Sequence, residues 1–370
     1  MRVLILLVTI TFSYAFSGQS SRKSALVRPH VNLQMSKKSF SVGIVGATGA
    51  VGEEILGVME QKKFPVSSLK LFASDKSAGK VVKSPFYGDL ILEPFSYAVA
   101  EKLDVCLLAV GGDFSLEWAE KLAAAGVLVI DNSSAFRRRT DIPLCIPEIN
   151  IKAAKGKKLI ANPNCTTAIA LMALAPIHAK YGIKRIIMST YQAASGAGAP
   201  GMQELKDGMA EVVKGNKAEN KIFAYPLPYN IIPHIDVFQD NSYTKEEMKV
   251  CWETQKILEA PDMKISCTAV RIPTLRAHSE SITIETERPI LASDVRALLA
   301  TAPGVKVVDN IAEKKYPMPL TATKQWDIEV GRIRNNDVFG ENGLDLFVSG
   351  DQLLRGAALN AVIIAEEMLL

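Results

Sequence analysis

Cys165 is the residue of this 370-residue chain best placed for covalent chemistry, within the run NPNCTT at positions 162–167. Asn164 is a good N-cap, and the apolar, alanine-rich pattern predicts a helix from about Thr166 to Lys180. The thiol then falls in the first helical turn, where the positive end of the helix dipole favours the thiolate. A thiolate attacks carbonyl and acyl carbons. Its place at a helix start predicts a nucleophile, whereas a lone cysteine elsewhere is usually structural.

Such a nucleophile needs a partner for proton transfer, and the chain has only four histidines. His30 lies near the N-terminus, and His178 falls late in the predicted helix, two or more turns from the cysteine. His234 follows a proline-rich loop. His278 follows the run RIPTLRA and precedes a strand-like stretch over residues 281–285. Composition alone leaves His234 and His278 as open alternatives.

A glycine motif follows the first predicted strand, Phe40 to Val45. The motif is GATGAVG at positions 46–52, and a helical pattern runs from Ala50 to about Glu60. The first two glycines let the backbone turn tightly and approach a pyrophosphate, and the third lets the helix pack close to the strand. The spacing is G-x-x-G-x-x-G, and the alternative is a tight turn without a ligand. The strand–turn–helix context favours a dinucleotide site.

Further units of a parallel sheet follow this motif. Strands are predicted from Leu69 to Ala73, from Asp104 to Val110 and from Val127 to Ile130, with a helix from about Phe114 to Ala125. The second of these strands is nearly all apolar, as expected for a strand covered on both faces. Cys106 lies inside it and is predicted to be a core residue.

The choice of cofactor depends on the residues after the second strand. An NAD enzyme usually places an acid there to bind the ribose 2′-hydroxyl. Here Ser74, Lys76 and Ser77 suit a 2′-phosphate, whereas Asp75 could serve NAD. The segment therefore predicts NADP.

Nine short motifs occur in order between Phe40 and Leu370. They are GATGAVG, ASDKSAGK, DNSSAFR, NPNCTT, TYQAASGAG, EEMK, RIPTLRAHSE, GRIR and DQLLRGAALN. Together they resemble the aspartate-semialdehyde dehydrogenase family. The resemblance implies that NADPH reduces L-4-aspartyl phosphate to L-aspartate 4-semialdehyde with release of phosphate. This is the second step of the aspartate route to lysine, threonine and methionine.

The resemblance also implies roles for individual residues. Cys165 would be the nucleophile, His278 the general acid/base, and Gln192 a residue that holds the reacting group. The residues implied in substrate binding are Arg137 and Lys249 for the phosphate, Arg271 for the α-carboxylate, Glu246 for the amine, and Asn164. The residues implied in cofactor binding are Gly46, Thr48, Gly49, Ala50, Val51, Ser74, Lys76, Ser77, Ser195, Gly196 and Gln352.

Four of these residues carry alternatives or departures. Glu246 and Lys249 are three apart on a predicted helix, and without the resemblance they would be interpreted as an exposed helical salt bridge. Lys76 stands where the family often has arginine, which weakens a 2′-phosphate contact without removing it. Gln352 stands where asparagine is frequent.

The predicted fold is α/β, with two domains. An N-terminal Rossmann-type dinucleotide-binding domain is predicted over residues 37–164 and 350–370, and an α+β catalytic and dimerisation domain over 165–349. The last predicted helix, about Asp351 to Leu370, is apolar on one side. The resemblance implies that it returns to the first domain, which puts Cys165 at the domain junction, and that the protein is a homodimer or homotetramer.

Residues 1–36 are predicted to be a targeting leader. Arg2 precedes a short apolar run over residues 3–10 and the small-residue site Ser13-Tyr14-Ala15, which is the plan of a signal peptide. A basic, acid-free stretch follows from Phe16 and is typical of a transit peptide. The combination resembles the two-part plastid leader of algae with secondary red plastids. The alternatives are a simple secretory signal, another organelle or the cytoplasm.

Composition excludes several other classes. The first 35 residues hold four of the 43 basic residues and no acid, so the remainder is balanced at 39 of each charge. This gives no footprint for nucleic acid or an anionic membrane. The five scattered cysteines form no C-x-x-C pair, so neither a disulfide framework nor a metal site is predicted.

Two alternative functions remain. One is a sister acyl-phosphate reductase, of the N-acetylglutamyl phosphate or glyceraldehyde 3-phosphate type, and the other is a non-catalytic NADP-binding redox sensor.

Overall fold

The structure, a computed structural model, describes residues 38–370. The predicted leader over residues 1–36 lies outside the described residues. None of the helices between residues 38 and 370 combines the length and apolar character needed to cross a membrane.

The first half of the chain forms a seven-stranded sheet with flanking helices. Its elements are β1 (Phe40–Val45), α1 (Ala50–Lys62), β2 (Val66–Ala73), β3 (Val81–Ser84), β4 (Gly88–Pro94), α2 (Tyr97–Ala100), β5 (Val105–Leu108), α3 (Gly112–Ala124), β6 (Leu128–Asp131), α4 (Pro147–Asn150) and β7 (Leu159–Ala161). The strand order is β3-β4-β2-β1-β5-β6-β7, and every pair except β3 with β4 is parallel. The predicted Rossmann-type sheet is confirmed.

The second half forms a six-stranded mixed sheet. Its elements are α5 (Cys165–Tyr181), β8 (Ile183–Gln192), α6 (Gly198–Val213), α7 (Lys245–Ile257), β9 (Lys264–Arg271), β10 (His278–Thr286), α8 (Ala292–Leu299), β11 (Val305–Val307), α9 (Pro319–Ala322), β12 (Ile328–Asn335), β13 (Gly343–Gly350) and α10 (Leu359–Leu369). The order is β11-β12-β13-β10-β8-β9, with β8–β9 and β11–β12 parallel and the other pairs antiparallel. The predicted α+β architecture is confirmed.

The central strands of the first sheet are buried on both faces, as their apolar runs predict. On one face, Ile44 belongs to a core cluster with Ile55 of α1 and Val362 of α10. On the other face, Cys106 belongs to a cluster with Leu122 of α3. Cys106 is therefore a core residue, as predicted.

Helix α5 lies between the two halves and is buried on almost every side. Its sequence from Thr166 to Leu174 is buried without interruption, as expected for a helix that is hydrophobic all round. It starts at Cys165 and ends at Tyr181, and the C-cap residue Gly182 adopts a left-handed conformation with φ 71°. The N-terminal end of this helix therefore places Cys165 at the edge of the first sheet, while the rest of the helix packs in the core of the second half.

The C-terminal segment differs from the continuous helix predicted over residues 351–370. A π-helical turn at Leu354–Ala358 precedes α10. This turn presses Gly356 against the start of α5, where a Cβ added to Gly356 would fall 2.9 Å from the Cα of Cys165. Single wide turns of this kind are common at functional sites.

Helix α10 packs on the first sheet, so the predicted return of the C-terminus is confirmed. Glu366 forms an ion pair of 2.8 Å with Lys62 of α1, and the side-chain amide of Asn360 donates to the carbonyl of Cys145 at 3.0 Å. The domain boundaries at residues 37–164, 165–349 and 350–370 stay predictions.

Candidate active site

The cysteine helix starts where the sequence predicts. The Oδ1 of Asn164 accepts a hydrogen bond from the backbone N–H of Thr167 at 3.1 Å, so Asn164 is the N-cap of α5. Two carboxylates of α7 hold Asn164 in turn. Its side-chain amide donates to Glu246 at 2.8 Å, and its backbone N–H donates to Glu253 at 2.5 Å. Helix α7 therefore determines where the start of α5, and with it Cys165, lies.

A cavity of about 310 Å³ opens beside Cys165. It brings together, from both halves of the chain, every residue predicted for catalysis or substrate binding except His278, together with four of those predicted for the cofactor. The lining residues are Val51, Asn132, Ser134, Arg137, Pro163, Asn164, Cys165, Gln192, Ser195, Gly196, Ile235, Glu246, Lys249, Arg271, Gln352, Leu353, Gly356 and Ala357.

Three cationic side chains line this cavity. Arg137 pairs with Glu253 at 3.2 Å and donates to the carbonyl of Asn132 at 2.8 Å, while its buried Nε has no partner within residues 38–370. Arg271 donates to the carbonyl of Ala193 at 2.5 Å. Both guanidinium groups are thus anchored by protein oxygens and still face the cavity, a geometry suited to carboxylate or phosphate.

Glu246 and Lys249 form a largely buried ion pair of 3.1 Å, not the exposed salt bridge of the alternative interpretation. Lys249 also pairs with Asp236 at 2.7 Å. Burial disfavours the charged form of Glu246, but Lys249, the Asn164 amide and Arg137 outweigh it and hold the pKa of this carboxyl below its ordinary value. The cavity therefore contains an ionised carboxylate that can bind an ammonium group.

His278 begins β10 and adjoins the cavity behind Gly196. A Cβ added to Gly196 would lie 2.8 Å from Nη1 of Arg271 and 3.3 Å from Nε2 of His278, so the lack of a side chain at Gly196 lets both groups approach its backbone closely. Nδ1 accepts a hydrogen bond from the backbone N–H of Ala193 at 3.0 Å. This bond assigns the proton to Nε2, which has no partner among the described residues.

The surroundings of His278 determine the protonation state of its ring. Burial, and then the charge of Arg271, lower the pKa of His278 to about 3. The imidazole is therefore neutral at physiological pH. A neutral ring with a proton on Nε2 acts as a hydrogen-bond donor to an oxygen that gains negative charge.

The predicted ionisation of Cys165 is wrong. Burial raises the pKa of the thiol to about 12, and Glu246 adds to the effect, while Arg137 and hydrogen bonding to Thr166 oppose it. The favourable end of a helix dipole is worth about 0.3–1 kcal/mol at an exposed site, which is too little to offset the desolvation of this half-buried thiolate.

The pH dependence of alkylation tests this correction. We expect iodoacetamide to label Cys165 slowly at pH 7, with a rate that rises about tenfold per pH unit and shows no plateau below about pH 10, because only the thiolate reacts. Peptide mass spectrometry after timed quenching measures the rate at this one cysteine. A plateau reached near neutral pH would show instead that the helix start keeps the sulfur ionised.

The glycine motif forms a sharp turn between β1 and α1. Gly46 has φ 85°, and its N–H donates to the carbonyl of Phe72 at 2.9 Å. A Cβ on Gly52 would lie 2.9 Å from the carbonyl carbon of Gly46. Gly49 is the N-cap of α1 and provides no side-chain cap, so the first amides of the helix are free of side-chain oxygens. The turn fits a pyrophosphate for these reasons.

The remaining cofactor candidates lie around this turn. Thr48 and Gly49 are exposed, and Ala50 and Val51 begin α1. Ser74, Lys76 and Ser77 form a short turn directly after β2, the strand next to β1. They do not line the cavity beside Cys165. The carboxyl ends of neighbouring parallel strands thus place the second segment beside the glycine turn, as a dinucleotide site requires.

Comparison with known proteins identifies the family. Residues 41–157 match the model "Semialdehyde dehydrogenase, NAD binding domain", and residues 174–355 match "Semialdehyde dehydrogenase, dimerisation domain". The chain is 45% identical over 327 residues to the aspartate-semialdehyde dehydrogenase of Synechocystis, which covers 88% of this chain and 96% of that protein. It is 46% identical to that of Aquifex aeolicus, covering 88% and 97%. The chain belongs to the aspartate-semialdehyde dehydrogenase family.

A solved member of the family has the same fold. The structure of aspartate semialdehyde dehydrogenase II from Vibrio cholerae, described as complexed with ASA, matches with a TM-score of 0.84 and 40% identity, covering 89% of this chain and 98% of that one. The resemblance seen in the nine motifs is thus confirmed, and the first half of this chain is a nicotinamide-dinucleotide-binding domain. Within residues 38–370, no group of three or more His, Cys, Asp and Glu side chains could hold a metal ion.

The histidines that the sequence left open lie in different places. His178 lines a separate cavity at the far end of α5 and accepts a hydrogen bond from the backbone N–H of Ile183. His234 lines a neighbouring cavity that shares Arg271 and Glu246 with the first, and it stacks on Phe238 at 4.5 Å. His278 lies immediately behind Gly196, which agrees with the role that the family resemblance implies.

Glu253 is a site residue that the sequence interpretation missed. It is buried, and its two oxygens accept from Arg137 and from the backbone N–H of Asn164. It lies seven residues after Glu246, so the two share a face of α7, and this spacing was the available signal. In this aspartate-semialdehyde dehydrogenase family member, one helix face thus orients both an arginine of the cavity and the cysteine helix.

Proposed function

We propose that this chain catalyses the NADPH-dependent reductive dephosphorylation of L-4-aspartyl phosphate to L-aspartate 4-semialdehyde through a thioester on Cys165. The observation that carries the proposal is the combination, in one cavity, of the thiol, three anchored cations and one ionised carboxylate. The substrate has two anionic ends and one ammonium group. The two anionic ends match the cations of Arg137, Arg271 and Lys249, and the ammonium group matches the carboxylate of Glu246.

Each end of the substrate has a partner. Arg271 presents a planar guanidinium that suits bidentate pairing with the α-carboxylate, and Glu246 suits the ammonium. Arg137 and Lys249 suit the phosphate. The backbone carbonyl that anchors Arg271 and the carboxylate that pairs with Arg137 fix both guanidinium groups before substrate binds, so little rotamer entropy is lost on binding.

Cys165 acts as nucleophile in the first step. Binding of the substrate ammonium neutralises Glu246, whose charge opposes ionisation of the thiol. The sulfur then bonds to the acyl carbon while the bond from that carbon to the phosphate oxygen breaks. Phosphate leaves with the electron pair and takes up the proton that the thiol gives up. Gln192 and the Nε2–H of His278 can donate to the acyl oxygen as it gains charge.

The thioester on Cys165 is then reduced and released. NADPH supplies the hydride for this step. His278 stabilises the oxygen of the resulting tetrahedral thiohemiacetal, and cleavage of its carbon–sulfur bond returns Cys165 and frees the aldehyde. The reaction is the second step of the aspartate route to lysine, threonine and methionine.

The charge of Glu246 separates this substrate from its rivals. An N-acetylglutamyl phosphate carries a neutral amide where aspartyl phosphate carries an ammonium. With that substrate Glu246 would keep only Lys249 as its cationic partner, and the attraction between the carboxylate and a substrate ammonium would be lost. A non-catalytic redox sensor would have no use for cations that match a substrate's two anionic ends.

Mass spectrometry of the protein mixed with aspartyl phosphate, without NADPH, tests the proposal. We expect an aspartyl group on the peptide that contains Cys165, together with release of one phosphate per site. N-acetylglutamyl phosphate should give no adduct. An adduct on another residue would contradict the nucleophile, and adducts only with the acetylated substrate would contradict the substrate.

Replacement of Lys76 tests the choice of NADP. We expect Lys76→Ala to raise KM for NADP by on the order of tenfold while KM for NAD stays nearly constant, because only NADP carries the 2′-phosphate. Lys80→Ala removes an exposed charge a few residues away and is the matched control. Equal effects of the two variants, or equal effects on both cofactors, would contradict the assignment.

The outer face of the second sheet supports a homodimer. Ile187 of β8 is 50% exposed there, and Tyr191 stacks on Phe347 at 6.1 Å. The matched dimerisation-domain model covers these strands. We expect Ile187→Glu to convert the dimer, or a dimer of dimers, into smaller species in sedimentation velocity, since a two-fold interface brings the two new charges together. Val338→Glu, on another exposed surface, should change nothing, and an unchanged Ile187→Glu assembly would exclude this face.

The leader is proposed to direct the protein to a plastid. The support is the succession of a signal-peptide pattern and a basic, acid-free stretch in the first 35 residues. A fluorescent protein fused behind residues 1–36 should accumulate in the plastid of an alga with secondary red plastids. Secretion of the fusion would favour the simple signal peptide.

A further inference from the structure

The loop over residues 272–277 delivers His278 to the cavity and contacts two other segments of the site. Its carbonyls at Thr274 and Leu275 accept the N–H groups of Ala194 and Ser195 at 2.8 and 3.1 Å. The N–H of Ala277 donates to the side-chain carbonyl of Gln352 at 2.9 Å. The loop is thus fastened at several points along its length.

Ala277, directly before His278, has a strained backbone. It is fully buried and has φ 69°, in the left-handed region that disfavours every residue with a Cβ. Such a conformation is unfavourable and persists only where its surroundings over-determine it. Because φ of Ala277 determines the direction in which the chain enters β10, it also determines where the imidazole of His278 points.

Arg276, directly before Ala277, is the centre of an ion-pair cluster. Its Nε donates to Asp351 at 2.6 Å, and its Nη1 pairs with Glu54. Asp351 is fully buried and also accepts the backbone N–H groups of Lys324 at 2.6 Å and Leu353 at 3.0 Å. An arginine fixed by two carboxylates on separate segments is a rigid anchor, because its planar fork is held in two directions.

Glu54 connects this ion-pair cluster to the dinucleotide domain. It lies in α1, the helix that begins at the glycine turn, and its side chain is only partly buried. Its neighbour Glu53 is exposed on the same helix and makes no side-chain contact with Arg276. The contact with Arg276 therefore joins the helix of the cofactor site to the loop of His278.

We propose that Arg276 is a positioning residue, which through Glu54 and Asp351 holds Ala277 in its left-handed conformation and so aims Nε2 of His278 at the cavity. The alignment of His278 thereby depends on the placement of α1, and the two halves of the chain must be docked for the imidazole to be correctly oriented. This inference rests on the role proposed above for His278.

A double-mutant cycle tests the proposal. We expect Glu54→Gln to lower kcat by about tenfold, since small misplacements of a catalytic group are costly, and to change KM for the semialdehyde by less than about twofold. In a His278→Ala background the same change should lower the residual rate no further, because Arg276 acts through that histidine. Glu53→Gln is the control and should match the parent protein in both backgrounds.

Two further variants keep the test decisive. In Ala277→Gly, residue 277 adopts the left-handed backbone conformation without support from its neighbours. Adding Glu54→Gln to this variant should therefore lower kcat less than it does in the parent protein, so that part of the lost rate returns. Arg276→Lys, which keeps the charge but not the fork, should resemble Glu54→Gln. Thermal unfolding of each variant monitors folding.

Three results would overturn the proposal: an equal loss of rate with and without His278, no loss in Glu54→Gln, or no recovery with Ala277→Gly. An equal loss in both backgrounds would mean that the cluster only stabilises the fold. The proposed function fails in a different way, since the parent protein would then show no turnover, or His278→Ala alone would leave the rate unchanged.

Discussion

Replacement of Cys165 by alanine is expected to abolish turnover, with a loss of on the order of 10⁴-fold or more, while NADP still binds. The thioester cannot form without the sulfur, and no other cysteine lines the cavity. Ser74, Lys76 and Ser77 lie outside the cavity that contains Cys165, and the change to alanine adds no charge or bulk to that cavity, so the cofactor should bind with a nearly unchanged Kd. Initial rates with semialdehyde, phosphate and NADP, together with fluorescence titration of NADPH, measure the two quantities.

Cys106→Ala is the matched control for this variant. It also removes a buried thiol, but from β5, in the core of the first sheet and outside the cavity. It should lose some stability and keep its activity per folded molecule. Normal turnover in Cys165→Ala, or an equal loss in both variants, would contradict the thioester mechanism.

Features that depend on neighbouring residues could be predicted from the sequence. The glycine turn, the Asn164 cap and the shared helix face of Glu246 and Lys249 each depend on spacings of a few residues. Local spacing specifies backbone conformation directly, through sterics and short hydrogen bonds. These features appear in the structure where the motifs placed them, and helix α5 differs from the prediction by one residue at each end.

The ionisation of the site could not be predicted in the same way. Position at a helix start indicates a low pKa for Cys165, but Gly356 packs against the backbone of Cys165 and Glu246 disfavours its thiolate, and both residues come from distant parts of the chain. Desolvation depends on this tertiary packing, which a local motif does not contain. The same reason applies to His278, whose pKa is lowered by burial and by Arg271.

Residues whose role depends on packing far along the chain also could not be identified from the sequence. Glu253 meets Arg137 across 116 residues of sequence, and Arg276 meets Glu54 across 222. Glu280, two residues after His278, is buried with no partner for either oxygen among the described residues, and burial raises its pKa well above the ordinary value. In a sequence such residues look like ordinary surface charges, because only the folded chain shows that they are buried.

His278→Ala is expected to lower kcat by on the order of a hundredfold or more, because it removes the one donor that stabilises the charged oxygen from behind Gly196. His234→Ala, which changes the other histidine near the cavity, is the matched control and should stay near the parent rate. The neutral ring is the active form, so raising the pH through 6 to 8 should cause no loss that depends on His278. A fall in kcat with rising pH near pH 6.5 that disappears in His278→Ala would instead show that the protonated imidazolium is the active form. The hydrogen bond from the N–H of Ala193 to Nδ1 would then have to break during turnover.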